Sequence, residues 1–227
     1  MEDKRITYEE IKNSVEISTY IKRGNDLLGA IGYTEHGFAH AGKVAQRAAD
    51  ILTVLGYDER TIELAKIAGH MHDIGNCINR NDHAQSGAIM AFRILDRMQF
   101  DAEEIATIIG AIGNHDEGTG EAISPISAAL ILADKSDVRR SRVRYKNRNE
   151  VKLSEDIHDR VNYAVHHSRL MVNPNEKSIL LELEIDTHIS VVMEYFEIFL
   201  SRMVMCRNAA KFLGMSFELN INNIRLL

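Results

Sequence analysis

Two cysteines, Cys77 and Cys206, are all that 227 residues contain, and they stand far apart. That excludes a disulfide framework and a CxxC pair, and it sets the expectation of a reducing, cytoplasmic setting. Proline is as scarce, with two residues, so little interrupts helix formation. No uncharged apolar run reaches membrane-spanning length. The first twenty residues are polar and charged, unlike a signal peptide, and no membrane association is expected. A net charge of −6 lacks the broad basic surface of a general nucleic-acid binder. Repeats and low-complexity tracts are missing too. What remains is 45% hydrophobic and 26% charged, suited to one large globular domain or a domain with an appendage.

Apolar residues recur at helical spacing through most of the chain, so helix should dominate. Thr7-Tyr8-Glu9-Glu10 reads as a capping box opening a helix that runs to about Leu28. A second helix is expected from near His36 to Leu55, stopping at Gly56. Asp58 should cap a third, which carries its apolar face toward His72 and ends by Gly75, with a polar loop over 76–81. Further helices are expected from about Asp82 to Met98, from Asp101 to near Gly113, and from Ser124-Pro125 through Asp134.

The last third changes character. Residues Ser178 to Ile185 read as a strand, set off by Asn173-Pro174-Asn175 and paired with a shorter strand near Arg169–Val172. A long helix should follow from about Thr187 to Leu213, with Ile189, Met193, Phe196, Leu200 and Met203 as its apolar stripe. Residues 216–221 alternate like a half-buried strand. The fold class expected is mainly α: a helical domain over 1–153 and a small α+β (ββαβ) appendage over 154–227. An open edge on so small a sheet would invite pairing, so a homodimer is expected, with the appendage in a dimerising or regulatory role.

Chemistry concentrates in a few polar residues at the ends of apolar runs. His72-Asp73 closes the run Ala68-Gly69-His70-Met71 just before Gly75. Neighbours on a helix point about 100° apart, so both can reach one centre only where a helix stops. His70, two residues away, should face elsewhere. His40 lies upstream, and His83, His115 and Asp134 follow, Asp134 closing the apolar run Ile126–Ala133. An ionised carboxylate on a buried face needs a cation or strong partners. Imidazole and carboxylate together suit borderline divalent metals. Each residue alone has a plainer reading, as a cap or a satisfied histidine; the joint order H…HD…H…H…D carries the inference.

That order, in the stretches HAGKVAQRAADILTVLGYDERTIELAKIAGHMHDIGN, DHAQSGAIMA, IGNHDEG and ISAALILADKSD, resembles the HD-domain superfamily of metal-dependent phosphohydrolases over about residues 36–140. The resemblance implies an all-helical core around the metals, with His40, His72, Asp73 and Asp134 holding one ion. Asp73 would bridge to a second ion held by His83 and His115. The extra histidines favour the two-metal branch. The chain departs from the HD-GYP cyclic-dinucleotide phosphodiesterases: NHDEGTGEAISP carries Asp116 where a further histidine might stand, and no GYP follows.

Such a centre implies two divalent ions, from among Fe, Mn, Zn, Co and Ni, and a metal-bound hydroxide attacking a phosphate ester. The enzyme would be a phosphomonoesterase or phosphodiesterase acting on a small phosphorylated substrate, a nucleotide or similar ester. Asp73 and Lys135 are the expected catalytic residues. Lys135, Arg139 and Arg140 are the expected substrate contacts, within a basic cluster that continues through Arg142, Arg144, Lys146 and Arg148. His36, one turn before His40, is a candidate supporting or proton-donating group. Two other readings compete: a di-iron oxygenase of the same superfamily, and a metal-holding scaffold that works through its C-terminal appendage.

Overall fold

The computed structural model describes residues 5–144 and 156–227. Lys146, Arg148 and the expected boundary at 153/154 lie outside the described residues. Among those described there are nine α-helices and a four-stranded mixed sheet.

The local signals act where they stand. Thr7 forms the full capping box with Glu10 and starts α1 (Tyr8–Lys12). That helix does not continue to Leu28 as expected. It stops at Asn13, and Ser14 caps a new helix, α2 (Val15–Ala30), by accepting from the Ile17 N–H. A side chain able to bond its own backbone competes with helix continuation, and here it wins. α3 (Phe38–Val54) and α4 (Glu59–Met71, capped by Asp58) follow. A short 3-10 turn over Ile74–Cys77 occupies the start of the expected polar loop. Then come α5 (His83–Arg97), α6 (Ala102–Gly113, capped by Asp101) and α7 (Pro125–Lys135, capped by Ser124).

α7 is the centre of the molecule. All residues from Ile126 to Lys135 are buried, and the helix packs against α3, α4, α6 and a C-terminal helix. Close approach is built in at two glycines. A Cβ on Gly69 would lie 2.7 Å from the Ala45 Cα, so the α3 and α4 backbones touch there. A Cβ on Gly75 would collide with the His83 carbonyl oxygen, so the turn after α4 is pressed against the start of α5.

The C-terminal third opens with a helix the pattern did not reveal, α8 (Ile157–Ala164), which Asp156 caps. β1 (Val165–Asn173) is longer than the expected short strand and pairs antiparallel with β2 (Ser178–Ile185). The chain then crosses through α9 (Val192–Phe212) to β3 (Ser216–Ile221), parallel to β2, and turns back in a two-residue β4 (Ile224–Arg225). Ile179, Leu181 and Leu183 of β2 stand beside Phe217, Leu219 and Ile221 of β3, all buried.

α9 packs on both β3 and α7. Its buried face includes Tyr195, Phe199, Met203, Cys206 and Ala210; of the expected stripe, Met203 lies on it. Ile189 precedes the helix, and Met193 and Leu200 are 65% and 56% exposed. Apolar residues occur on several faces of this helix, so periodicity alone did not show which face the neighbours cover. No helix among the described residues is long and apolar enough to cross a membrane.

Two stability tests follow. Gly75→Ala should destabilise the chain by about 1–3 kcal/mol in urea unfolding, because backbone must move to admit the methyl. Gly42→Ala, with no atom within 4 Å of the added carbon, should be neutral or stabilising by up to about 1 kcal/mol. The second test is Asp159, buried on α8. Burial, then Asp156, pushes its carboxyl up from 3.8 to about 6. A raised folded pKa means the folded state holds the proton more tightly, so stability from this group is present below about pH 4 and lost as pH rises through about 6. Asp159→Asn should therefore raise the melting temperature at pH 8, by the equivalent of about 1–3 kcal/mol, and change little at pH 3.5.

Candidate metal centre

Six side chains from five elements converge. α4 ends at Met71, His72 keeps helical dihedrals, and Asp73 leaves them at φ −98°, ψ 5°. That break lets two consecutive side chains face one centre. Packing at Gly75 brings up His83, the first residue of α5, behind Asp82 in a left-handed conformation. His115 follows the end of α6, Asp134 is in the last turn of α7, and His40 is in the first turn of α3.

The Asp73 carboxylate divides the cluster. Its Oδ2 lies 3.5 Å from His72 Nε2 and 3.7 Å from His40 Nε2. Those two nitrogens are 3.2 Å apart, and His40 Nε2 is 3.2 Å from Asp134 Oδ1. Asp73 Oδ1 faces the other side, 3.4 Å from His83 Nε2 and 3.9 Å from His115 Nε2, themselves 3.1 Å apart. His40, His72 and Asp134 form one compact donor group, and His72, Asp73 and His115 form a second that overlaps it.

The hydrogen bonds behind these rings show that the donor set fits cations. His72 Nδ1 is 2.8 Å from the Gly69 carbonyl, His83 Nδ1 2.9 Å from that of Arg80, and His115 Nδ1 2.6 Å from that of Ile112. His40 Nδ1 is 2.8 Å from Asp137 Oδ2. Each outer nitrogen thus donates its proton to an acceptor, which assigns the tautomer and leaves Nε2 as a lone pair aimed inward. Lone pairs at 3.1–3.2 Å repel unless a proton or a cation lies between them. Asp73 Oδ2 is buried without a hydrogen-bond partner among the described residues. One or two divalent ions answer both features.

Electrostatics agree with that reading. Burial alone would raise the Asp73 carboxyl, but the imidazoles of His72, His36, His83 and His40 outweigh it and hold the group well below its usual range. Asp134 is treated likewise by Lys135 and by its bonds to His40 and His72. Burial holds His115 well below the usual imidazole value, with the charges of His72 and Lys135 adding to it. His83 is also lowered by burial, against the pull of Asp73. His70 faces elsewhere, edge-on to Tyr8 at 5.8 Å.

The other sequence-stated candidates have different surroundings. Lys135 is buried, with Nζ 2.7 Å from Asp134 Oδ2 and 3.3 Å from Glu117 Oε2. Arg139 bonds Asp137 at 3.0 Å and pairs with Glu35 at 3.4 Å. Arg140 donates to the Tyr163 carbonyl at 2.6 Å and lies over the Tyr163 ring at 4.4 Å. Neither arginine lines the cavities at the cluster. Of the rest of the basic run, Arg142 reaches the cluster cavity while bonding the Glu35 and Asp137 carbonyls, and Arg144 ties down Tyr33 and Asn25. His36 lines both cavities at the cluster, with Nδ1 2.8 Å from the Thr34 carbonyl.

Sequence reasoning missed several residues that the fold brings in. Asp137 anchors His40, and its spacing of three from Asp134 was a readable signal. Asn76 Nδ2 donates to Asp73 Oδ1 at 2.8 Å. Arg80 sits 3.2 Å from His83 Nε2. Arg202, from α9, pairs with Glu117 at 2.5 Å, so the chain Asp134–Lys135–Glu117–Arg202 ties the C-terminal segment to the cluster.

Asp137→Ala should lower metal affinity about 10–100-fold by freeing the His40 ring. Competition against a calibrated chelator measures this, and unchanged affinity would show that His40 needs no support.

Comparison with known proteins adds the following. Residues 37–139 match the model of the HD domain. An uncharacterised protein of Methanocaldococcus jannaschii is 26% identical over 162 residues, covering 62% of each chain. Ribonuclease Y of Enterococcus faecalis is 29% identical over 177 residues, 68% of this chain and 32% of that one. Ribonuclease Y of Latilactobacillus sakei is 32% identical over 119 residues, 48% of this chain and 20% of that one. The chain thus spans less than two thirds of the length of each of these relatives. The crystal structure of a predicted HD superfamily hydrolase from an uncultured Thermotogales bacterium is 27% identical, with a TM-score of 0.43, covering 55% of this chain and 67% of that one. Residues 37–139 of the chain are an HD domain.

Proposed function

We propose that the chain is a metal-dependent phosphohydrolase with a dinuclear centre, acting on a nucleotide or other small phosphate ester. The observation that carries this is the division of the donors by Asp73, one carboxylate oxygen toward His40 and His72, which stand beside Asp134, the other toward His83 and His115. In that role His40, His72 and Asp134 would hold one ion, His83 and His115 would hold the other, and Asp73 would be shared between them. Divalent ions bound there would supply Lewis acidity to a phosphoryl oxygen and to the attacking water.

The protein's own groups do the rest. Lys135 holds the Asp134 carboxylate in place and lines the cluster cavity, where its charge favours an anion. Arg80, Arg142 and Arg202 line the same cavity, and guanidinium forks suit phosphate oxygens. His36 is held neutral at pH 7, because burial and Arg142 keep its pKa well below the usual imidazole value. It is suited to accept a proton from attacking water rather than to donate one. Hydrolysis forms a bond from water oxygen to phosphorus, breaks the ester P–O bond, and returns a proton to the leaving oxygen.

The guanidinium wall favours phosphoryl transfer over the oxygen chemistry of a di-iron site. Two relatives bear the name ribonuclease, which is consistent with ester cleavage. A cavity of about 400 Å³ beside the cluster suits a small ester better than a polymer.

The test combines metal analysis of the purified chain with phosphate release from a panel of esters. Two ions per chain and turnover are expected. Asp73→Ala should lose both ions and all turnover; full metal content in that variant contradicts the bridging role. Arg80→Gln should keep the metals and raise KM about 10–100-fold, the loss of a charge-assisted contact. Oxygen uptake by a redox-active di-iron form, without phosphate release, would overturn the reading.

A further inference from the structure

α9 has apolar residues on two sides, and the fold covers one of them. Tyr195, Phe199, Met203 and Cys206 are buried against the molecule. On the other side Met193, Leu200 and Val204 are 65%, 56% and 39% exposed, and Glu197, Arg207 and Lys211 are exposed along the same line. In chain order this outer stripe reads Met193, Glu197, Leu200, Val204, Arg207, Lys211, with steps that alternate between four and three residues. That is the heptad spacing which keeps one stripe of a helix facing a partner helix. Next to it, between α9 and β3, lies a groove of about 140 Å³ lined by Phe196, Leu200, Val204, Leu219 and Leu226. It has room for about one branched apolar side chain. An exposed apolar stripe beside an apolar groove marks an interaction surface.

The charges along the stripe specify the partner. Its centre, Leu200 and Val204, is apolar; Glu197 lies on the N-terminal side, and Arg207 and Lys211 on the C-terminal side. The side chains of these three make no ion pair among the described residues. Leu200 and Val204 stand equally far from the level of Arg202 along the helix, and so do Glu197 and Arg207. Turned end for end about that level, the stripe meets its own complement. Leu200 falls opposite Val204 of a second copy, and Glu197 falls opposite Arg207. A two-fold contact makes each of these pairings twice. A membrane surface would call for cations along the whole stripe, and an unrelated helix would not require charge and hydropathy to mirror about one point.

We propose that the outer face of α9 is a self-association surface, on which a second copy of this chain packs its own α9 antiparallel about a two-fold axis at the level of Arg202. The Glu197 carboxylate of each copy faces the Arg207 guanidinium of the other, and Leu200 and Val204 form the apolar centre. The Arg202 side chain is turned to Glu117 on another side of the helix, so each copy keeps its own His/Asp cluster.

Sedimentation velocity of the full chain over a concentration series reads the association directly and needs no turnover. A dimer with a dissociation constant of about 1–100 µM is expected, because an interface centred on one helix is small. Glu197→Arg and Arg207→Glu, both at exposed positions, each set like charges face to face and should weaken the dimer about 10–100-fold. The double variant restores opposite charges and should associate like the parent chain. The two single variants, weak alone, should pair with one another when mixed in equal amounts, since each reversed charge then meets its opposite on the other chain. A chain that stays monomeric up to about 500 µM overturns the proposal. So does a dimer that neither single reversal weakens, which would place the contact elsewhere, such as the open edge of β1. A mixture of the single variants that stays monomeric overturns it as well.

Discussion

The Asp73 carboxylate is the constraint on which the site depends. It is buried, its Oδ2 has no hydrogen-bond partner among the described residues, and imidazole nitrogens approach both of its oxygens. A carboxylate so placed is costly without a cation. The surrounding fold is arranged to keep it there. α4 stops one residue short of His72, the next turn is pinned by Gly75 against α5, and Asn76 fixes Oδ1. These devices oppose the easier outcome, in which Asp73 rotates toward solvent.

The helices around the cluster are held by ordinary packing, but their polar contacts extend the site outward. α7 is buried along its length and delivers Asp134 and Lys135 together. Lys135 reaches the carboxylate of its neighbour Asp134 and is held from the other side by Glu117. Glu117 is in turn paired with Arg202 on α9. The sheet and its crossover helix are thereby joined to the His/Asp cluster by charge as well as by apolar burial. A change in α9 would be felt at Asp134 through three ion pairs in series.

The legible part of the sequence was the part decided locally. Thr7, Asp58, Asp101 and Ser124 cap the helices they were expected to cap, because a capping side chain bonds backbone only two or three residues away. The six histidines and aspartates stood out by residue type and by their place at helix ends, and the fold does gather them. What failed depended on tertiary context. Ser14 was a cap hidden inside an apolar pattern, and α8 is eight residues long with several polar ones. The buried face of α9 is set by α7 and β3, which its own periodicity does not specify. Arg202 and Glu117 are ordinary residue types, brought to the cluster by contacts between segments far apart in sequence. Arg139 and Arg140, close to Asp134 in sequence, do not line the cavities at the cluster; their side chains bond Asp137, Glu35 and the Tyr163 carbonyl.

The pairing of charge around the cluster links its two ligands. Asp134 has Lys135, Asp137 has Arg139 and Arg47, and Glu117 has Lys135 and Arg202. The protein's cations are thus matched to its acids, and Asp73 is the acid left to the histidines. Divalent ions at Asp73 would bring more positive charge than that one carboxylate offsets. A phosphate ester facing Arg80, Arg142 and Arg202 would offset it. Each ligand then raises the affinity for the other by the same factor, since coupling between two bound species is reciprocal. Under the proposed function, a metal at the cluster would make the site attractive to an anion, and the anion would help retain the metal.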